Sequence, residues 1–225
     1  MDSVVLAADS SSASASIPVS VQKIEWASAG ILRVCLAEGP SFFVRDSYLP
    51  ESWACWLAPG ACLSREASDI LVHASRVYLA ERCAMGYLSR SEHCRFQLAG
   101  KLRKKEFSEE ESAPALDFLE TCGYLDDKRF SEAWLRSRTI HQCEGRSKLF
   151  AGLLSRGVPG EVARAALDVF YLDADEAACC RKAAEKLIRQ GKDGRSLVAA
   201  LARKGFSGKT ISRCLKKDAY CDESS

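Results

Sequence analysis

Hydrophobic and polar residues follow two rhythms along the chain, and the change from one to the other falls near Ser64. Over residues 21–63 the apolar residues come in short runs, VQKIEWA, ILRVCLA and SFFVRDSYL, separated by Ser-Ala-Gly and Glu-Gly-Pro. Runs of this length, rich in Val, Ile, Phe and Trp and bounded by turn formers, predict two or three short strands. So small a meander buries too little surface to stand alone, and it is expected to lean on the next part of the chain, with Trp53 and Trp56 in the contact. Residues 1–20, rich in Ser and Ala and without period, are expected to be a disordered tail, and residues 218–225 a second tail.

From Ser64 the apolar spacing becomes helical. Ser64 can cap a helix that runs to about Ser89 and buries Ile70, Ala74, Val77, Tyr78, Glu81 and Ala84. Ser91 is expected to open the next helix, with Cys94, Leu98 and Leu102 on one stripe. Ser108 and Glu111 form the S-x-x-E pattern of a capping box, and Gly123 has the place of a C-terminal glycine. Pro114 lies inside that helix and predicts a late start or a bend, because its ring removes an N–H. Asp126 or Asp127 starts another helix, with Phe130, Ala133, Trp134, Ser137 and Ile140 on its buried side.

One unit then recurs. LRKKEFS at 102–108, LLSRGVP at 153–159 and LARKGFS at 201–207 align without gaps, and a Leu stands eight residues after each (Leu116, Leu167, Leu215). Each has a cation near a helix C-terminus (Lys105, Arg156, Lys204), a Glu or Gly, an apolar plug (Phe107, Val158, Phe206), then Ser or Pro to open a helix. With leading helices at about 65–89, 127–142 and 174–190, each unit holds three helices. The expected organisation is a β-rich leader at 21–63 and helical repeats at 64–125, 126–172 and 173–217.

The third junction contains GFSGKT, whose last letters imitate a phosphate-binding loop. Such a loop needs G-x-x-x-x-G-K-[ST] after a strand, but five places before Gly208 stands Arg203, and SLVAALARK has helical spacing. GFSGKT is therefore expected to be a helix-to-helix turn.

Composition and charge narrow the chemistry. The 225 residues are 47% apolar, with no run long enough to span a membrane and no signal-peptide pattern in MDSVVLAADSSSASAS, so a cytoplasmic protein is expected. Eleven cysteines include no C-x-x-C pair and are expected to be reduced thiols used as small hydrophobes, Cys94, Cys122 and Cys214 on helix faces among them. Cys179-Cys180 is the one pair to watch for oxidation artefacts. Residues 1–75 carry four Lys and Arg against eight acids, whereas residues 181–217 carry twelve against two. That excess suits a polyanion or an acidic protein face. His73, His93 and His141 stand far apart, no metal-ligand spacing exists, and Asp126-Asp127 is more simply a helix cap than a catalytic pair, so an enzyme is not expected.

The stretch YLSRSEHCRFQLAGKLRKKEFS followed by FLETCGYLDDKRFSEAWLRSR resembles the RecX family of regulatory proteins, and GYLDDKRFSEAW is the most specific piece. The segment from IEWASAG to LAPGACLSREASDIL resembles the β-rich leader of some members. Gln97 stands where members usually have Glu, and Glu106 where the junction usually has Gly. The resemblance implies a mostly α fold, three tandem three-helix repeats in an elongated curved array preceded by a small β-strand meander. It also implies a non-enzymatic protein, without cofactor, that binds the RecA recombinase filament on single-stranded DNA and restrains strand exchange and the SOS response; a monomer is expected, although the sequence leaves the oligomeric state open. Candidate filament- or DNA-binding residues are Arg103, Lys104, Lys105, Arg156, Arg203, Lys204, Lys209, Arg213, Lys216 and Lys217. The alternative is a stand-alone DNA-binding protein that uses the helix pair at 195–217 as a helix-turn-helix.

Overall fold

The computed structural model describes residues 19–218 of the chain. The expected tails lie outside the described residues, apart from Val19, Ser20 and Asp218. Two compact units divide between Tyr78 and Leu79. In the first, β1 (Val19–Ser28), β2 (Ile31–Leu36), β3 (Ser41–Arg45) and β4 (Cys62–Leu63) form an antiparallel sheet in the order β3-β2-β1-β4. The sheet has four strands rather than two or three, because the two residues of β4 pair with Val19 and Ser20 at the start of β1. A short helix, α1 (Trp53–Trp56), precedes β4. Val21, Leu32, Val34 and Val44 form one core with Ala67, Leu71 and Ala74 of α2 (Arg65–Leu88). Leu32 and Val34 reach it from one face of β2 by the period of two. Trp53 and Trp56 pack against this core.

α2 begins as expected, with the Ala67 N–H donating to Ser64 Oγ at 3.1 Å. Ile70, however, is 38% exposed, and Leu71 takes its place in the core. The second unit continues with α3 (Arg95–Arg103), α4 (Glu109–Thr121), α5 (Asp127–His141), α6 (Arg146–Leu154), α7 (Gly160–Asp173), α8 (Glu176–Ile188), α9 (Gly194–Arg203) and α10 (Gly208–Asp218). α3 starts at Arg95 rather than at Ser91, since Cys94 is extended and ends the preceding loop. α4 does not start late: the Glu111 N–H donates to Ser108 Oγ (3.2 Å) and the Ser108 N–H to Glu111 Oε2 (2.9 Å), fixing the first turn ahead of Pro114. On α5 Ser131 and Leu135 are buried, whereas Ser137 is exposed; the Ile140 side chain lies outside the described residues.

The three junctions close alike. The N–H groups of Phe107, Val158 and Phe206 donate to the carbonyls of Leu102, Leu153 and Leu201 at 3.2, 3.2 and 3.3 Å. The residue before each plug is left-handed, with φ of +63° at Glu106, +85° at Gly157 and +87° at Gly205. This is the Schellman closure of a helix C-terminus. Ser207 then caps α10 through its Oγ, 3.0 Å from the Thr210 N–H, so GFSGKT is a turn between helices.

Successive triplets join where one middle helix begins. Cys94 Sγ–H donates to the Arg156 carbonyl at 3.1 Å, and the Gly145 N–H donates to the Lys204 carbonyl at 2.8 Å. The Arg95 N–H donates to Asp127 Oδ1 (2.7 Å) and the Arg146 N–H to Glu176 Oε1 (3.2 Å), so the first residue of α5 or α8 caps the middle helix before it. Arg95 pairs with Asp117, and Arg146 with Asp168 in the equivalent place. In the third triplet Gly194 and Lys216 stand at those positions, and the Asp193 N–H is taken up locally by Ser196 Oγ at 3.1 Å. Cys94 and Cys214 are buried as expected, but Cys122 is exposed.

At the second joint Glu144, its side chain only 2% exposed, accepts from Arg138 Nε at 2.8 Å and pairs with Lys148 Nζ at 2.9 Å. Burial works to raise the carboxyl, but the bonds from Arg138 and Lys148 prevail and hold it below its ordinary value.

Stability measurements test this joint in two ways. Gly191 and Gly205 both have positive φ, but a Cβ on Gly191 meets nothing, whereas one on Gly205 would stand 2.4 Å from the backbone nitrogen of Lys148. Gly191→Ala should cost about 1–2 kcal/mol, and Gly205→Ala distinctly more, read as urea midpoints; equal losses would contradict the joint. A depressed folded-state pKa stabilises above the unfolded pKa, and the gain is lost as pH falls through the folded value. Glu144→Gln should therefore cost about 1–2 kcal/mol at pH 7, its half-exposed cationic partners screening the rest, and the gap to the parent should narrow and close as pH falls through and below the ordinary glutamate range. A gap that persists in acid would rule out the carboxylate as its source.

Candidate nucleic-acid interface

The periodicity of α3 separates two sets of residues. Cys94, Leu98 and Leu102 are fully buried, so Phe96, two residues from Leu98 and about 200° around the helix, projects away from the core. Phe96 is 62% exposed. It lies over Gly157, where an added Cβ would come within 2.2 Å of its Cγ.

Here α3 and the turn after α6 enclose a cleft of about 570 Å3. Lys101, Arg103, Lys104 and Arg156 line it, together with His93, Phe96, Gln97, Gly100 and Ser155. No carboxylate is among the lining residues, so none of them offsets the charge of these cations. Lys101 Nζ is 2.8 Å from His93 Nε2 and lies over the Tyr87 ring at 4.4 Å from its centroid. Burial lowers the His93 pKa and Lys101 lowers it further, so the imidazole stays neutral at pH 7 and accepts from the ammonium.

The ten candidate cations fare differently. Arg103 and Lys104 are exposed at the cleft, and Lys105 is exposed beside them without lining it. Arg156 reaches the cleft but is half-buried, its guanidinium donating to the Gly152 carbonyl at 2.8 Å and lying 4.7 Å from the centroid of Trp134. It serves the scaffold as well as the surface. Arg203 and Lys209 are exposed, Lys204 is half-buried and gives its carbonyl to the joint with α6, and none of the three lines this cleft. Arg213 lines a different concavity with Arg146, Asp175 and Glu176, where carboxylates offset the cations. The side chains of Lys216 and Lys217 lie outside the described residues. Counting charges and junctions does not single out Phe96, Gln97 or Lys101; the signal that does is an aromatic residue off the buried stripe of α3.

GYLDDKRFSEAW proves to be a joint. Asp126 Oδ1 accepts from the N–H groups of Lys128 and Arg129 at 2.8 and 3.1 Å, while Asp127 caps α3. The Arg129 guanidinium holds the Gly123 and Tyr124 carbonyls at 3.0 and 2.7 Å and Glu92 at 2.6 Å. Among the described residues no group of three or more His, Cys, Asp or Glu is placed to hold a metal ion, and no helix is long and apolar enough to cross a membrane.

Comparison with known proteins agrees on one family. Residues 80–119 match the model of the RecX first three-helix domain, and residues 126–167 that of the second. The regulatory protein RecX of Treponema pallidum (strain Nichols) is 38% identical over 142 residues, covering 63% of this chain and 87% of the relative. That of Prosthecochloris aestuarii is 36% identical over 137 residues, covering 59% and 88%. A crystal structure of regulatory protein RecX superposes with a TM-score of 0.71 at 21% identity, over 88% of this chain and 99% of the other, and so shares the fold.

The split between scaffold and surface cations can be measured. Arg156→Ala removes a hydrogen bond and a ring interaction and should cost about 1–2 kcal/mol, whereas Lys104→Ala should cost less than about 0.5 kcal/mol. Denaturant unfolding of the two variants checks this, and equal losses would contradict it.

Proposed function

Because the chain belongs to the RecX family of regulatory proteins, we propose that it binds the filament a RecA recombinase forms on single-stranded DNA and restrains it. The restraint falls on ATP hydrolysis, strand exchange and the coprotease activity that signals the SOS response. The protein acts in the cytoplasm as a monomeric regulator and carries out no reaction of its own. The observation that carries this reading is the cationic cleft beside Phe96, which holds Lys101, Arg103, Lys104 and Arg156 and no carboxylate. Such a surface favours a polyanion, and phosphate contacts release counterions, so binding weakens as salt rises.

A helix-turn-helix role for α9 and α10 is less well supported. Their turn is engaged by the preceding triplet, through the Gly145 N–H on the Lys204 carbonyl and the Ser147 N–H on the Gly205 carbonyl. The same closure recurs at the other two junctions, as befits a scaffold.

The test is ATP hydrolysis by a RecA recombinase on single-stranded DNA, titrated with this protein. Hydrolysis should fall at ratios well below one chain per recombinase monomer. The double variant R103E/K104E should need about ten-fold more protein for the same effect. Its log–log salt dependence on single strands should flatten by about 0.7 for each phosphate it no longer neutralises. Hydrolysis unchanged at every ratio overturns the regulatory reading; a double variant as potent as the parent removes the cleft from it.

A further inference from the structure

A large apolar ring in solvent among cations needs a reason. The core does not supply one, since the complete burial of Cys94, Leu98 and Leu102 already seats α3 without Phe96. The ring instead rests on the bare backbone of Gly157, whose left-handed φ of +85° favours glycine. That support holds the ring in place while most of its surface stays open. On one side lies the cationic cleft, and on the other a second concavity of about 330 Å3 that shares Phe96, Gly100 and Arg103 with it. Gly100 carries no side chain to fill the space between them.

We propose that Phe96 is a stacking platform for a nucleobase of single-stranded nucleic acid, with Lys101, Arg103, Lys104 and Arg156 taking the flanking phosphates. The choice of ligand rests on the reading above, that the chain works on single-stranded DNA. Three features favour a nucleic-acid strand over an acidic peptide. A held aromatic face gives every base an equivalent partner. Four cations along one cleft match a backbone that carries one charge per nucleotide. Neutral His93 and Gln97 supply polar edges without a competing negative charge. Duplex DNA keeps its bases stacked on one another and cannot use the ring, so the site discriminates for single strands.

The test compares binding of the full-length protein to an oligothymidylate and to an abasic strand with the same number of phosphates. Phe96→Leu keeps an apolar side chain over Gly157 but has no ring face, and Phe96→Trp restores one. Expected are a roughly ten-fold loss of oligothymidylate affinity in Phe96→Leu, unchanged abasic affinity, and recovery in Phe96→Trp. Lys104→Glu should weaken both strands together. The stacking site is overturned if Phe96→Leu keeps the parent's ratio between the two strands, if the parent binds neither, or if it shows no preference for bases and a short polyglutamate displaces both. Recombinase ATP hydrolysis measured with the same samples separates the two ideas. Inhibition by the parent with a ratio indifferent to Phe96 leaves the regulatory reading standing and removes the platform. A ratio that depends on Phe96 without inhibition does the reverse.

Discussion

The middle helices of the first two triplets have no N-cap of their own, and the architecture of the second unit depends on how that lack is met. An α-helix begins with N–H groups that have no intrahelical partner, and a side-chain cap is worth about 1 kcal/mol. Cys94 and Gly145, the residues before α3 and α6, make no side-chain cap hydrogen bond. Asp127 and Glu176 accept from the first N–H of each helix instead, across the boundary to the next triplet. A carboxylate there also meets the positive end of the helix dipole. Each of these triplets is thus completed by its successor, and the core obeys the same order: buried Cys94 packs with Phe130, Leu149 and Leu153 of the second triplet.

This coupling explains which junction residues are free to vary. Gly157 and Gly205 sit beneath Phe96 and Lys148, with no room for a Cβ. Glu106 adopts the same left-handed turn, but as an exposed residue of the first junction it has room for its side chain and bears the conformational cost of φ +63°. At the other end Ser196 receives the Asp193 N–H within α9, and Lys216 stands where Asp117 and Asp168 form ion pairs. The start of α9 thus carries a capping box of its own, formed by Asp193 and Ser196.

Much of this is legible in sequence because it is local. The junction residues, the Ser108–Glu111 box and the leading helices depend on φ preference, capping chemistry and period, all of which act within a few residues. The features that sequence hides depend on partners distant in the chain. Ser91 reads as a helix start because Ser caps well, but Asp127, 32 residues beyond Arg95, decides where α3 begins. The Gly145 N–H, likewise, finds its acceptor in the Lys204 carbonyl of the third junction, which nothing in its neighbourhood of sequence announces. The late start that Pro114 suggests does not occur, because the local box ahead of it starts α4 at Glu109. Among the candidate cations, charge counting finds those at the cleft but cannot distinguish solvent-facing Lys104 from Arg156, which a ring and a carbonyl hold. Both are basic residues near a helix end, and only the partners differ.

The same distinction bears on where function is to be sought. GYLDDKRFSEAW is the most recognisable stretch of the chain, yet Asp126, Asp127, Arg129 and Phe130 are engaged in capping α5, capping α3, holding the Gly123 and Tyr124 carbonyls and filling the core. A motif whose polar groups are already satisfied inside the fold has little left to offer a ligand. Its effect on function is indirect: by seating α3 against the turn after α6, it brings Arg103 and Lys104 from one triplet beside Arg156 from the next. Neither triplet contains that cleft alone. The cationic surface is therefore a property of the joint, and a substitution that loosens the joint disperses the surface without touching one of its charges.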